Sequence, residues 1–345
     1  MPPLPPEFSH RADLGLLLVG LALLYIASRS AVDALLSPDD PSPGRRAFAH
    51  HLPIAAITIA AILLHQPILA IATLFGTSVA SLALGCGSIA LSSNTVIDPP
   101  PIWRRLWPFT VVVAILSFLV GLTGTLEPTH AILFFAEGIV LFLLWQDHPS
   151  SPTPDAPTPR RRIRPILLFL SILLTVVGAW ATSRGAIDLS HTARFVTLGT
   201  VAATMISPML ILPMLGTGVT LAERGSPAAA VTTHIAIPFL NLCLWLPILI
   251  AGTYLYPAPP PPPMPTTQPT TQPATQPEES PELPPAPQLL FPILTWRLDT
   301  IVLLVLGLVL LPPAINRWPL ARRDGIFMLL IYVAYLMVLS ASGRH

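Results

Sequence analysis

The chain has 345 residues, 52% hydrophobic and only 10% charged, with a mean hydropathy of +0.69 and a formal net charge of +1. A soluble domain carries about a quarter charged residues, so the composition selects a membrane protein, and the near-zero charge gives no reason to expect nucleic acid as a partner. All 18 basic residues are arginine, and the two cysteines, Cys86 and Cys243, lie inside apolar runs, which suits packing better than a disulfide or a metal cluster.

The first apolar run, about 12–28, follows Arg11, and its stretch from Leu14 to Ala27 has the length of a signal-peptide core or a short span. It ends at the hexad "SRSAVD", Ser28 to Asp33; a near copy, "SRGAID", Ser183 to Asp188, ends the run Ile166 to Ala181. A cleaved leader has no reason to resemble an internal segment, so the first run reads as a retained helix. Each hexad reads as helix termination at the headgroups, Arg meeting lipid phosphate and Asp capping or pairing locally; a gate contact is the other reading.

Further runs fall at about 47–64, 67–97, 109–123 and 131–146. His50, His51 and Pro53 interrupt the second, and its boundary with the third could instead fall at Gly76–Ser78. The gap at 148–164, "HPSSPTPDAPTPRRRIR", reads as a linker with topology-setting charge. Runs recur at about 165–182, 193–222, 228–256, 299–315 and 325–340. Proline-rich 257–287 favours extended polyproline II and buries no core, so it reads as a spacer or stalk.

The expected fold class is therefore an all-α polytopic membrane protein of about ten transmembrane helices. A five-helix unit spans 1–147 and a second spans 165–345, joined by the 148–164 linker. Five is odd, so the second unit starts from the opposite side and the two repeats are inverted. Alternation puts Arg29, Arg45, Arg46, Arg104, Arg105 and the 160–164 cluster on one side, with Arg224, Arg317, Arg322 and Arg323. Only Arg11, Arg184, Arg194, Arg297 and Arg344 fall on the other. The positive-inside rule makes the richer side cytoplasmic and both termini external, along with the proline-rich loop. The expected location is a bacterial inner (plasma) membrane.

The halves match at other points. Leu52–Pro53 and Pro67 answer Leu212–Pro213 and Pro227, each pair of prolines fourteen apart and all displaced by 160. Ala70 and Thr73 answer Ala230 and Thr233, and "EGIVLFLLW" from Glu137 answers "DGIFMLLIY" from Asp324, each reading as an acidic-Gly helix start. "LLLVGLALLYIASRSAVDALL" resembles the first helix of the calcium/cation antiporter superfamily, the sodium/calcium exchanger membrane region. "LPMLGTGVTLAERGSPAAAVTTHIAIPFLN", Leu212 to Asn241, is similar in layout to its signature repeat, and "NRWPLARRDGIFMLLIYVAYLMVL" to its closing helix.

The resemblance implies a secondary transporter whose cation is bound by a glutamate after the motif proline in each half. Here those positions are Ile54 and Met214. In a rival register "GTSVAS", Gly76 to Ser81, is the signature, with Ala80 and Ser81 in place of Pro-Glu; neither register restores a glutamate. Asp33, Glu137, Asp188, Glu223 and Asp324 are expected near span ends, so no carboxylate is expected at the centre. Calcium takes about six to eight oxygen ligands, usually including carboxylates, so calcium exchange is not expected of this chain.

Thr73, Thr77, Ser78, Thr232, Thr233 and His234 lie in the two helices that line the family's pathway. One reading makes them a hydroxyl-lined substrate site with His234 titrating; the other makes them packing and hydrogen-bonding residues between helices. His50, His51 and His65 lack an acidic or cysteine partner at helical spacing, so no metal site is expected. No nucleophile–base pair or phosphate loop stands out, so neither an enzyme nor a cofactor is expected. The functional expectation is a divergent exchanger-type transporter of a cation or other small solute in the lipid bilayer. Its alternative is a transport-inactive scaffold or regulator, with the protein partner of the proline-rich loop unassigned.

Overall fold

The computed structural model describes residues 6–36, 43–93, 96–146, 164–193, 196–257, 259, 289–315 and 318–342. Apart from edge residues, the 148–164 linker and the 257–287 stretch lie outside them. In chain order the helices are α1 (Pro6–Leu35), α2 (Pro43–Leu63), α3 (Pro67–Ala80), α4 (Gly87–Ser92), α5 (Pro101–Gly121), α6 (Pro128–Gln146) and α7 (Pro165–Thr192). They continue as α8 (Leu198–Val201), α9 (Ser207–Glu223), α10 (Pro227–Phe239), α11 (Leu246–Leu255), α12 (Thr300–Val309), α13 (Leu311–Ala314) and α14 (Arg322–Ser342). α1, α2, α3, α5, α6, α7 and α10 begin on proline, whose missing N–H is one of the unpaired donors of a first turn and whose φ already suits a helix.

π-helical turns fuse several of these into longer rods. Ser81–Cys86 joins α3 to α4, Ala202–Ile206 joins α8 to α9, Leu240–Trp245 joins α10 to α11, and Thr295–Asp299 leads into α12. Among the described residues eight helices are long and apolar enough to cross a bilayer: Arg11–Leu35, Arg46–Leu63, Pro67–Ser92, Pro101–Gly121, Pro165–Thr192, Leu198–Glu223, Pro227–Leu255 and Arg322–Ser342. The segments expected as the fifth and ninth spans are helical as well, over Pro128–Gln146 and over 295–309. Large apolar side chains such as Ile132, Phe169, Leu330 and Met337 stay exposed, as suits contact with lipid.

Burial separates centre from rim. In Pro67–Ser92, 89% of the apolar window is buried, against 28% in Arg322–Ser342. α2, α3, α9 and α10 form the middle: α2 packs on α3 and α10, and α9 packs on α10 and α3. α6 lies against the π turn Leu240–Trp245 and α11, while α14 lies against the π turn Ser81–Cys86 and α4. α1 and α7 run along each other, backbone to backbone. A Cβ on Gly20 would sit 2.5 Å from the Thr182 nitrogen and 2.9 Å from the Gly178 oxygen. Small residues that let backbones touch are the usual means of holding helices together in lipid.

Both hexads lie inside helices. α1 continues past Asp33 to Leu35 and α7 past Asp188 to Thr192, so neither motif terminates its helix. Arg184 and Asp188 form an i,i+4 ion pair of 3.1 Å, the local pairing expected of the Asp. The "EG" and "DG" motifs also differ from each other. Asp324 caps a helix start, its Oδ2 accepting from the Ala321 N–H at 2.8 Å, whereas Glu137 sits in the middle of α6, nine residues after Pro128.

The 160-residue displacement reappears in backbone geometry. After α2, Leu64, His65 and Gln66 donate to the carbonyls of Ala60, Ile62 and Ala61; after α9, Arg224, Gly225 and Ser226 donate to Thr220, Ala222 and Leu221. His65 and Gly225 occupy the same place in this turn, with φ of +53° and +83°. The next helices start on Pro67 and Pro227, and they meet their π turns after 14 and 13 residues. Two loop contacts close the ends: β1 (Thr125–Leu126) pairs antiparallel with β2 (Leu289–Leu290), and Ile97 bridges Leu320.

Candidate functional site

The residues singled out in the sequence gather in the central helices, all buried. Thr73, Thr77 and Ser78 line α3, and Thr232, Thr233 and His234 line α10. Every one of these hydroxyls donates to its own helix: Thr73 to Leu69 O (2.7 Å), Thr77 to Thr73 O (2.7 Å) and Ser78 to Leu74 O (2.7 Å). Thr232 donates to Ala228 O (2.7 Å) and Thr233 to Ala229 O (2.9 Å). Their lone pairs then serve neighbouring helices. Thr232 accepts from Trp103 Nε1 at 2.7 Å, tying α10 to α5.

The helices meet through a reciprocal pair of contacts at their π turns. Asn241, in the turn Leu240–Trp245, sends its amide Nδ2 to Leu74 O (2.9 Å), Thr77 Oγ1 (2.8 Å) and Ser78 Oγ (2.9 Å). Ser81, in the turn Ser81–Cys86, donates to His234 O at 2.9 Å. Asn241 is 160 residues after Ser81 and His234 is 160 after Leu74, so one contact is the image of the other. A π turn adds a residue per turn and carries a side chain round to a face that an α-helix would not give it.

The hydroxyl of Ser81 has one proton, spent on His234 O, so its contact with His234 Nδ1 (3.1 Å) makes Nδ1 the donor. In the neutral ring Nε2 is then the bare nitrogen, buried and without a hydrogen-bond partner. Gly85 leaves room for this ring, since a Cβ there would collide with Nδ1, and Gly218 of α9 lies on the Nε2 side.

A second histidine builds a bridge across the middle. Ser28 of α1, the first residue of the hexad, lies 3.1 Å from His50 Nδ1, and His50 Nε2 lies 3.0 Å from Thr217 Oγ1 of α9. Thr217 donates to Met214 O at 2.8 Å, so it accepts from Nε2–H, and Nδ1 accepts from Ser28. The chain Ser28–His50–Thr217–Met214 thus ends on one of the two positions expected to have lost a glutamate. Ile54 and Met214 themselves are buried, at 1% and 2% exposure. In the second half Ser183 has no partner.

Sequence reasoning named Ser81 only as a rival-register replacement and Ser28 only as the start of a hexad, and it did not single out Asn241 or Thr217; the 160 displacement would have paired Ser81 with Asn241 had polar residues been compared as well as identical ones. It also missed buried acids. Glu137 has both carboxylate oxygens buried and unpartnered, and Asp299 is 2% exposed, inside the helical run that begins before the expected ninth span. The expectation that acids sit only near span ends is corrected at these two positions. Among the described residues no group of three or more His, Cys, Asp or Glu side chains could hold a metal ion, and Cys86 and Cys243 are free thiols.

A chain of long apolar helices, several broken at π turns and joined by side-chain hydrogen bonds across its centre, is an integral membrane protein. The fold is that of the sodium-calcium exchanger. The exchanger NCX_Mj soaked with 10 mM Na+ and 10 mM Sr2+ superposes with a TM-score of 0.61 at 17% identity, covering 94% of this chain and 97% of that one. The same exchanger soaked with 2.5 mM Na+ and 0.1 mM Sr2+ gives 0.60 at 16% identity, over 95% and 99%. Native YfkE gives 0.66 at 12% identity, over 97% and 96%. No family model and no curated protein matches the sequence. At such identities the likeness establishes the fold.

Proposed function

We propose that this protein is a divergent secondary transporter of the exchanger type, moving a monovalent cation or another small solute rather than calcium. Its plan is ten spans in two inverted five-helix halves, 1–147 and 165–345, joined through 148–164. The observation that carries this reading is the reciprocal contact of Asn241 with Leu74 and Ser81 with His234, which a two-fold relation between the halves generates and a single ten-helix run does not. The fold shared with NCX_Mj supports it. The substrate region of this reading lies among the central helices, with Thr73, Thr77 and Ser78 on α3, Thr233 and His234 on α10, and the unpartnered His234 Nε2 turned toward Gly218 of α9. Ile54 and Met214 argue against calcium there, since a divalent ion in a low-dielectric site needs compensating charge.

The orientation has both termini external and the arginine-rich side cytoplasmic. Each loop contact fits it: β1 and β2 would both be external, Ile97 and Leu320 both cytoplasmic. A second reading, a transport-inactive scaffold, is favoured by one observation, the closed hydrogen-bonded bridge from Ser28 to Met214.

Reconstituted liposomes separate the two. The transporter reading expects sodium, potassium, proton or small-solute flux driven by an imposed gradient, and no calcium flux. Absence of gradient-driven flux for every tested species would reject it. The double variant Ile54→Glu with Met214→Glu is expected to gain calcium binding, measured with radioactive calcium, if the two positions still share a cavity; a folded double variant that binds none favours the scaffold.

A further inference from the structure

Away from the central site, a cavity of about 300 Å³ opens where the turn after α2, the end of α11 and β2 meet. Ile62, His65, Pro67, Tyr256, Pro257 and Leu290 line it, and its volume lies at the lower end of ligand pockets, about 300–1,000 Å³. Its floor is fixed by close packing. Gly252 of α11 lies against Ile62 of α2, where a Cβ would come within 2.7 Å of Ile62 Cδ1. Among the described residues the lining holds no aspartate, glutamate or arginine.

His65 is the strained member of this lining. In the matching turn after α9, Gly225 takes a left-handed φ of +83° freely, whereas here a residue with a β-carbon takes +53°. Residues held in such conformations cluster at ligand sites, where the surrounding structure keeps them. The strained position carries an aromatic wall: the His65 and Tyr256 rings stack at 4.8 Å with 16° between their planes. Tyr256 remains 52% exposed, so ring surface stays open beside the cavity. An apolar, uncharged cavity with an open aromatic face suits prolyl rings, in the way proline-rich segments dock in aromatic-lined grooves.

The chain carries such a segment at this place. Pro257 and Leu289 both line the cavity, so the proline-rich stretch between them starts and ends on its wall. Residues 260–277, "PPPPMPTTQPTTQPATQP", contain no charge, whereas Glu278, Glu279 and Glu282 follow. We propose that this cavity is a docking site for a proline-rich segment, and that its occupant is residues 260–277 of the same chain. The uncharged part of the stretch matches the uncharged lining. Tethering at both ends makes the encounter intramolecular, which raises the effective concentration of this segment above that of any separate chain.

The proposal does not depend on the transporter reading. The test compares the full chain with one in which 260–277 is replaced by a glycine–serine segment of equal length, both in detergent micelles. The probe is a fluorescent peptide of residues 260–277, read by polarisation. The expected result is saturable binding to the replaced chain and at least about tenfold weaker binding to the wild type, whose tethered segment competes. His65→Gly in the replaced chain puts there the residue already used at 225, so the turn keeps its shape while the ring is lost; peptide affinity is expected to fall about tenfold or more. No binding to the replaced chain, or unchanged affinity with His65→Gly, would overturn the site and leave the cavity to lipid. Equal affinity of the replaced and wild-type chains would overturn the tethered occupant. Should the replaced chain not fold, a spin label at Thr270→Cys in the otherwise wild-type chain is expected to be immobilised and to be released by His65→Gly; equal mobility in both would overturn the proposal.

Discussion

At the scale of single residues, hydroxyls and amides in this bundle are mostly fasteners. Thr77 and Ser78 each donate back to their own helix and accept from Asn241, so one amide group holds α3 against the π turn of the neighbouring rod. Asn241→Leu removes both amide protons that serve Leu74 O, Thr77 and Ser78 and is expected to lower stability by about 1–3 kcal/mol, read as a fall in thermal unfolding temperature in micelles. Ser81→Ala removes both contacts to His234, the bond donated to its carbonyl and the one accepted from Nδ1, and is expected to lower the unfolding temperature as well. The candidate residues of the sequence lie in α3 and α10, and most of their partners across helices were not among them. Thr73, Thr77, Ser78, Thr233 and His234 could be found because they interrupt apolar runs, while Ser28 and Thr217 could not, because nothing local shows that their partner lies on another helix.

At the scale of elements, proline and left-handed turns set where helices begin and end. Interior Pro53 and Pro213 each lack an N–H, which frees the carbonyl one turn earlier in α2 and α9; proline inside a membrane helix is tolerated where neighbours re-satisfy the backbone. The turn after α9 needs φ of +83° at Gly225, and the same turn after α2 holds His65 at +53°, its ring stacked on Tyr256 at 4.8 Å. Gly225→Ala is expected to destabilise the protein by about 1–2 kcal/mol, the cost of a left-handed L-residue, whereas Gly15→Ala, in open space on α1, should be neutral or stabilising. Helix positions were readable from apolar periodicity and proline. The π turns were not, because no residue type encodes one; Ser81 and Asn241 sit in them without any local mark, and Asp299 entered the interior for the same reason.

At the scale of the whole molecule, the bundle has a centre and two flanks. α2, α3, α9 and α10 are enclosed by α6 and α14, each of which meets the π-broken rod of the other half. The sequence match at "EGIVLFLLW" and "DGIFMLLIY" holds although Glu137 is mid-helix and Asp324 is a cap. The glycines are the common part: Gly138 lies against the Cys243 backbone and Gly325 against Gly87. The orientation is checked by cysteine scanning. Both native thiols are buried, so a cysteine placed at exposed Glu127 is expected to react with an impermeant maleimide from outside intact cells, and one at exposed Arg322 only after lysis. The reverse pattern would invert the topology.

The tight crossing of α1 and α7 has a mechanical outcome. Backbones that touch at Gly20 and Gly178 cannot slide past one another without collision, so the two long helices travel as a single plate. At the hexad that plate is tied to α2, and through it to α9, by two neutral hydrogen bonds, Ser28 to His50 and His50 to Thr217, each worth about 0.5–1.5 kcal/mol net. Under strain the latch at His50 yields before the glycine seam does.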